Sequence, residues 1–402
     1  MNIGEKKYYN NYPTVFVHGF LGWGSDDAID NVVHYWGASK DRDLLKHLRE
    51  QGYECYNPSV GPFNGAWDRS CELWARLVGG RVDYGKVHSE KHNHARYGRT
   101  YPGVLKDFGQ PGDHAKINLI GHSFGGPTVR MFAHLLADGA QEEIDGTPEE
   151  ELSDLFKGGK AGWIHTVTTL SGVNNGTTYD DLHGKQGMRA LSTLLLSQIV
   201  RVGDSRFMKV KDYHMEQWDL MDAPEQNSKF HLRNKKSFTK QMENFLDQHM
   251  DNIGYEMSLE GMFEINEKIQ PASNMYYFAR RACRTHPNRK GDQVPDKDMS
   301  AFCDIPGFLS GRYRNEDLKK YGFSEDWLPN DGFVNTVGLS APLNEPFVDW
   351  NPTVAIKPGI WYNMPVEDKD HMSWMGFGEK TTVLYRYYEN MLELFRMLPD
   401  GE

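Results

Sequence analysis

The sequence predicts an α/β protein, a central mostly parallel sheet flanked by helices, and three stretches carry that prediction. Lys116-Ile117-Asn118-Leu119-Ile120 is short and mostly apolar, as a buried strand is. It runs through Gly121-His122-Ser123-Phe124-Gly125 into Val129, Phe132, Ala133, Leu135 and Leu136, apolar at helical spacing and ending near Gly139. Near the start of the chain, Tyr12-Pro13-Thr14-Val15-Phe16-Val17 reads as another strand and runs straight into His18-Gly19-Phe20.

Strand, G-x-S-x-G and helix in that order are the context of a nucleophile elbow, the serine-bearing turn of α/β-hydrolases. The sharp turn exposes the Ser123 hydroxyl at the carboxyl end of the strand, and flanking glycines leave room for it. The amide of Phe124, at the helix N-terminus, can help stabilise an oxyanion. The plainer alternative is a serine that caps a helix after a glycine turn; strand and helix on either side favour the elbow. In this fold a second oxyanion amide comes from a His-Gly loop early in the chain, which assigns it to Phe20, against the alternative of a simple strand-ending turn.

The remaining chain supplies context. At 402 residues it can bury a large core, and 12% aromatic content excludes a disordered chain. The formal charge of −11 argues against nucleic acid or an anionic membrane as a standing partner, and no apolar run is long enough to span a bilayer. Met1 to Lys7 lacks the apolar core of a signal peptide, so the protein stays inside the cell or the numbering starts at a processed form. Four cysteines make no disulfide framework, although Cys283 and Cys303 could pair. Residues 41–50 read as a helix, Glu54 to Asn57 as a strand, and the acidic stretch Gln141 to Asp154 as a solvated surface segment.

Two stretches carry two readings each. From Trp67 to Gly103 the chain is polar, with His88, His92 and His94 close together and Asp68 twenty residues before the first of them. Such density means an exposed loop or a divalent metal site, and the spacing matches no tight zinc-finger pattern. In residues 188–202, Met188, Leu191, Leu195, Ile199 and Val202 share one helical stripe, opposite Thr193, Ser197 and Arg201. A stripe of this kind is ordinarily core; over an active site it would be a lid whose apolar side faces the cleft when closed and lipid when open.

An elbow serine needs a base and an orienting carboxylate, which this fold supplies in the chain order Ser, Asp or Glu, His. Of sixteen histidines only His371 follows residue 286, in a loop-like stretch ahead of a helix at about 380–397. Asp331, in Leu328-Pro329-Asn330-Asp331-Gly332-Phe333, sits where Pro and Gly build a turn that can aim a carboxylate; Asp349 and Asp368 are the alternatives.

Val17-His18-Gly19-Phe20-Leu21-Gly22-Trp23-Gly24, Tyr35-Trp36-Gly37, Gly98-Arg99-Thr100-Tyr101-Pro102-Gly103 and Trp327-Leu328-Pro329-Asn330-Asp331-Gly332 resemble the Gram-positive true lipases of families I.5 and I.6, the secreted triacylglycerol lipases of Geobacillus and staphylococcal type. The resemblance runs from about residue 13 to 395. It implies a single α/β-hydrolase domain over 1–402, with a metal-site insertion at about 63–103 and a helical lid region at about 178–230. It implies Ser123, Asp331 and His371 as catalytic residues and Phe20 and Phe124 as oxyanion amides; many relatives carry Gln in place of Phe124, which leaves the amide intact. A structural zinc site maps onto Asp68, His88, His94 and, with Glu in place of the family's Asp, Glu216. The family's calcium site is not expected, because no carboxylate follows His371 before Glu379.

The expected protein is thus a secreted, monomeric serine ester hydrolase that meets lipid esters at an interface without inserting stably into the membrane, with zinc as its structural metal. Two rivals remain: a carboxylesterase or polyesterase using the same triad, and a non-catalytic lipid-binding or adhesion protein on a hydrolase scaffold. The second would be marked by a lost triad residue, and none is lost.

Overall fold

The computed structural model describes residues 7–183, 212–218, 245–246 and 249–401. Its strands in chain order are β1 (Thr14–Val17), β2 (Cys55–Tyr56), β3 (Gly80–Asp83), β4 (Tyr97–Tyr101), β5 (Ile117–His122), β6 (Ile164–Leu170), β7 (Tyr276–Arg280), β8 (Thr285–Pro287), β9 (Gln293–Pro295), β10 (Phe347–Asp349) and β11 (Trp361–Asn363). Seven of them form one sheet in the order β10-β11-β7-β6-β5-β1-β2, and every neighbouring pair is parallel. Every residue of β5 and β6 is buried, as expected where both faces of a parallel sheet are covered. The pairs β3–β4 and β8–β9 are separate two-stranded antiparallel sheets.

From β1 the chain goes outward to β2 on one side; from β5 it goes to β6 and β7 on the other. The direction reverses between β1 and β5, so the crevice at their carboxyl ends is where such a sheet places ligands. Both the Phe20 loop and Ser123 follow from those two ends.

The helices used below are α1 (Leu44–Glu50), α2 (Ala66–Val78), α3 (Lys86–His92) and α4 (Gly125–Ala137). The helix expected over 41–50 starts at Leu44 because the Asp43 carboxylate accepts the Lys46 amide and caps it. The C-terminal helix, Thr381–Met397, buries Leu384, Tyr388, Met391, Leu392 and Phe395, the i, i+4, i+7, i+8 stripe of a helix laid on a core. Tyr388 joins Phe16 and Trp36 in an aromatic cluster beneath β1, each buried ring contributing about 1.5–3 kcal/mol.

All four cysteines are free, so Cys283 and Cys303 do not pair. The stripe of Met188, Leu191, Leu195, Ile199 and Val202 lies outside the described residues. Among the described residues no helix is long and apolar enough to cross a membrane.

Candidate active site and cation cluster

β5 passes directly from His122 into Ser123, which adopts φ +57°, a left-handed conformation that a non-glycine residue enters only when its surroundings hold it there. Its amide donates to the Leu170 carbonyl at 3.0 Å and its own carbonyl accepts from Gly126 at 2.9 Å. The turn requires glycine for lack of space. A Cβ on Gly121 would lie 2.1 Å from the Gly125 oxygen, and one on Gly19 would lie 2.6 Å from Ser123 Cβ. Helix α4 starts at Gly125 with Phe124 as its N-cap, so its positive end lies beside Ser123.

Val17 is in register with Gly121, which brings His18-Gly19-Phe20 alongside this elbow. In that loop Leu21 donates to the Pro62 carbonyl and Gly22 to the Gly19 carbonyl, while the Phe20 amide, like that of Phe124, meets no acceptor among the described residues. His18 braces the loop: its Nε2 accepts from the Val60 amide at 3.1 Å, so the proton is on Nδ1, 2.9 Å from the Gly19 carbonyl. Arg69, fully buried on α2, donates to the His18 and Gly61 carbonyls and to Thr128 Oγ1, with its guanidinium over the Phe124 ring. Burial pushes Arg69 down to about 10, which still leaves it charged at neutral pH.

The other two predicted residues arrive on loops. His371 Nδ1 stands 2.8 Å from Asp331 Oδ2. A carboxylate accepts, so the proton sits on Nδ1 and Nε2 keeps its lone pair. Asp331 is completely buried, and its second oxygen accepts the amides of Phe333 and Val334 at 3.1 and 2.8 Å. Asp370 shapes the neighbouring turn by accepting the amides of Met372, Ser373 and Ser300. The alternative acids are engaged elsewhere, Asp349 with Arg281 and Asp368 with Arg284, both at exposed positions. Ser123 and His371 line one cleft of about 150 Å³, with mostly apolar walls that include Phe20, Trp23, Tyr179, Phe302, Phe333 and Phe377.

A second constellation lies in the predicted metal-site segment. Asp68 from the first turn of α2, His88 from α3, His94 and Asp251 place ligand atoms within 4.8 Å of one another. His88 Nε2 is 2.9 Å from Asp251 and 3.3 Å from Asp68, and His94 Nε2 is 3.6 and 3.9 Å from the same two carboxylates. Four ligands at tetrahedral zinc distances stand about 3.3 Å apart, so the group brackets that spacing. Asp68 Oδ1 and His94 Nε2 are buried without a hydrogen-bond partner, which suits a bound cation. His94 Nδ1 lies 2.9 Å from the Ala95 carbonyl, which turns the Nε2 lone pair inward.

Here one expectation is corrected. The fourth member is Asp251, not Glu216. Glu216 pairs with Arg99, which also holds Asp212. It is the next residue, Gln217, that turns inward and donates to Asp68 Oδ2 at 3.0 Å. Asp251 reaches the cluster because Asn252 caps the helix Ile253–Glu256 and bridges to Asn64, just ahead of α2. The acidic stretch Gln141 to Asp154 is a mostly exposed surface segment, as expected, and the exception is within its helix Gln141–Gly146: Glu143 is buried, its carboxylate accepting the amides of Val87 and His88 at 3.2 and 2.7 Å. A further acid–histidine group, Asp27, Asp212 and His214, is internally paired, with His214 on Asp27 and Arg99 on Asp212.

A parallel sheet with a strained serine at its switch point, and in the same crevice a histidine backed by a buried aspartate, is the architecture of an α/β-hydrolase. The chain belongs to the family described as "Lipase-like, C-terminal domain", whose family model matches residues 10–400. It is 32% identical to Lipase 1 of Staphylococcus aureus over 98% of its own length and spans about half, 55%, of that curated relative. Among solved structures it is similar to EstA from Clostridium botulinum, at 34% identity with a TM-score of 0.88, covering 100% of this chain and 91% of that one. It is also similar to the Staphylococcus hyicus lipase, at 30% identity with a TM-score of 0.80, covering 99% and 98%.

Proposed function

We propose that the protein is a triacylglycerol lipase that cleaves carboxylic esters through an acyl-enzyme on Ser123. The observation that carries this reading is the 2.8 Å contact of Asp331 with His371 Nδ1 in the cleft that also holds Ser123. His371 Nε2 takes the Ser123 proton as the hydroxyl attacks the ester carbonyl, and Asp331 keeps the imidazole in the required tautomer and stabilises its charged form. The Phe20 and Phe124 amides are the donors available for the oxyanion. His371 then returns the proton to the departing alcohol, and water, activated by the same nitrogen, releases the acid. Apolar walls favour an aliphatic acyl chain over a charged substrate. Kinship with proteins named lipase supports the lipid ester as substrate, and the motifs shared with the secreted Gram-positive lipases favour work outside the cell.

Asp68, His88, His94 and Asp251 would hold a zinc ion. With four protein ligands no position remains for a substrate water, so its contribution is to join α2, α3 and the Asp251 segment, apart from the chemistry. Ser123→Ala should abolish hydrolysis with the fold intact, a loss on the order of a million-fold in kcat. An organophosphonate should label Ser123, and hydrolysis of an acyl-length series should favour emulsified over dissolved esters. Labelling at another serine would overturn the assignment.

A further inference from the structure

We propose that His122, acting with Tyr35, is a positioning residue for the base: it fastens the main chain of His371 to the strand that carries Ser123 and to the loop that carries Phe20. This rests on the reading of Ser123 and His371 given above. Three hydrogen bonds make the connection. The Gly19 amide donates to the Tyr35 hydroxyl at 3.0 Å, that hydroxyl lies 2.7 Å from His122 Nδ1, and His122 Nε2 lies 3.0 Å from the His371 carbonyl.

The ends of this chain fix every proton within it. The Gly19 amide can only donate and the His371 carbonyl can only accept. His122 therefore carries its proton on Nε2, and its Nδ1 lone pair receives the Tyr35 hydroxyl proton. No other neutral arrangement satisfies all four groups. Both side chains are almost completely enclosed, with Trp36 and His371 against the His122 ring. Burial, reinforced by the neighbouring His371, holds His122 well below the usual histidine range, and burial raises Tyr35. The relay thus keeps one protonation state while His371 gains and loses its proton.

The relay has an effect distinct from that of Asp331. Asp331 grips the His371 ring, and its carbonyl accepts the His371 amide at 2.8 Å. His122 holds the opposite side of the same residue, the carbonyl, and is itself covalently joined to Ser123. Base and nucleophile are then referred to one strand end. A misplacement of about 1 Å at such a site lowers turnover by about 100-fold.

Two substitutions at one position separate the arms. In His122→Gln the side-chain amide reaches about as far as Nε2 and can donate to the His371 carbonyl. In His122→Asn the shorter carbonyl can accept from Tyr35 but leaves His371 untied. With a soluble short-chain ester, His122→Asn should lower kcat about 100-fold and His122→Gln no more than about tenfold, with KM changed less than about twofold in both. Unfolding temperatures of the two variants should agree. Equal kcat in the two variants, or a loss that appears in KM, would overturn the relay. Should both variants misfold, Tyr35→Phe decides: an unchanged kcat overturns it and a fall of about tenfold supports it. Ser123→Ala separates the two levels. Hydrolysis surviving in that variant defeats the underlying reading, whereas an inert Ser123→Ala beside equal Gln and Asn variants defeats the relay alone.

Discussion

Glu143 Oε1 accepts the backbone amide of His88 at 2.7 Å, so a carboxylate from the acidic stretch fixes the first turn of the helix that brings His88 to the cation cluster proposed above. Its other oxygen takes the Val87 amide and the Thr147 hydroxyl. Glycine at 85 cannot cap α3 with a side chain, and Glu143 supplies the missing acceptor from a distant segment. Glu143→Ala should therefore weaken cation retention without removing a ligand. We expect the apparent metal affinity, measured by chelator competition, to fall about tenfold. An unchanged affinity would reduce Glu143 to a purely local cap.

The identity of the fourth ligand is directly testable. Asp251→Asn should lose most of its bound zinc, by elemental analysis of gently purified protein, whereas Glu216→Gln should retain it. In the unaltered protein a strong chelator should lower the unfolding temperature more than the initial rate at moderate temperature, because a closed four-ligand site stabilises the folded state by linkage. Zinc retained in Asp251→Asn and lost in Glu216→Gln would reverse the correction.

A loss of stability in acid is expected from His165. His165 is buried between Tyr12 and Tyr276, and burial pushes it down to about 4, against about 6.5 for a free histidine. As pH falls the unfolded chain takes the proton first. The contribution to stability is thus complete above about 6.5 and is lost as pH falls towards 4, on the order of 3 kcal/mol at most. Denaturant unfolding at pH 7, 5.5 and 4 should show a shallower decline for His165→Gln than for the unaltered protein. Parallel declines would assign the acid sensitivity to other groups.

The apolar stripe at 188–202 is tested by ratio. Replacing Leu195 and Ile199 together with serine should raise activity on short dissolved esters and lower it on emulsified triacylglycerol. A lid loses both its closed contacts and its lipid-facing ones, each large side chain accounting for about 1.5–3 kcal/mol when fully solvated. An equal fall on both substrates, with lower stability, would make the stripe ordinary core.

The parts of the site that the sequence discloses are those fixed by local chemistry. Ser123 is marked by glycines that its turn cannot do without, and Asp331 by the Pro-Asn-Asp-Gly turn, just after which the amides of Phe333 and Val334 meet its carboxylate. Asp251 carries no such mark. It joins Asp68 through contacts between distant segments that no spacing rule anticipates: the bridge from Asn252 to Asn64, the Ile253 amide on the Phe63 carbonyl and the Ala66 amide on Glu256. Glu143 fails for a different reason: acidic composition reads as solvated, and only a helix start left without an acceptor draws one such residue inward. Gln217 lies one residue from the position singled out, in the short 3-10 turn Glu216–Trp218, and its side chain is the one that reaches Asp68.

Asp68 and Arg69 are consecutive residues of α2, one turned to the cation cluster and the other to the carbonyl of His18. A helix moves as a unit, so an occupant of different ionic radius that displaces Asp68 carries Arg69 with it. The cation cluster and the anchor of the His18 loop thus share one rigid helix, so an ion held by Asp68 would steady the support of that loop as part of the fold it stabilises.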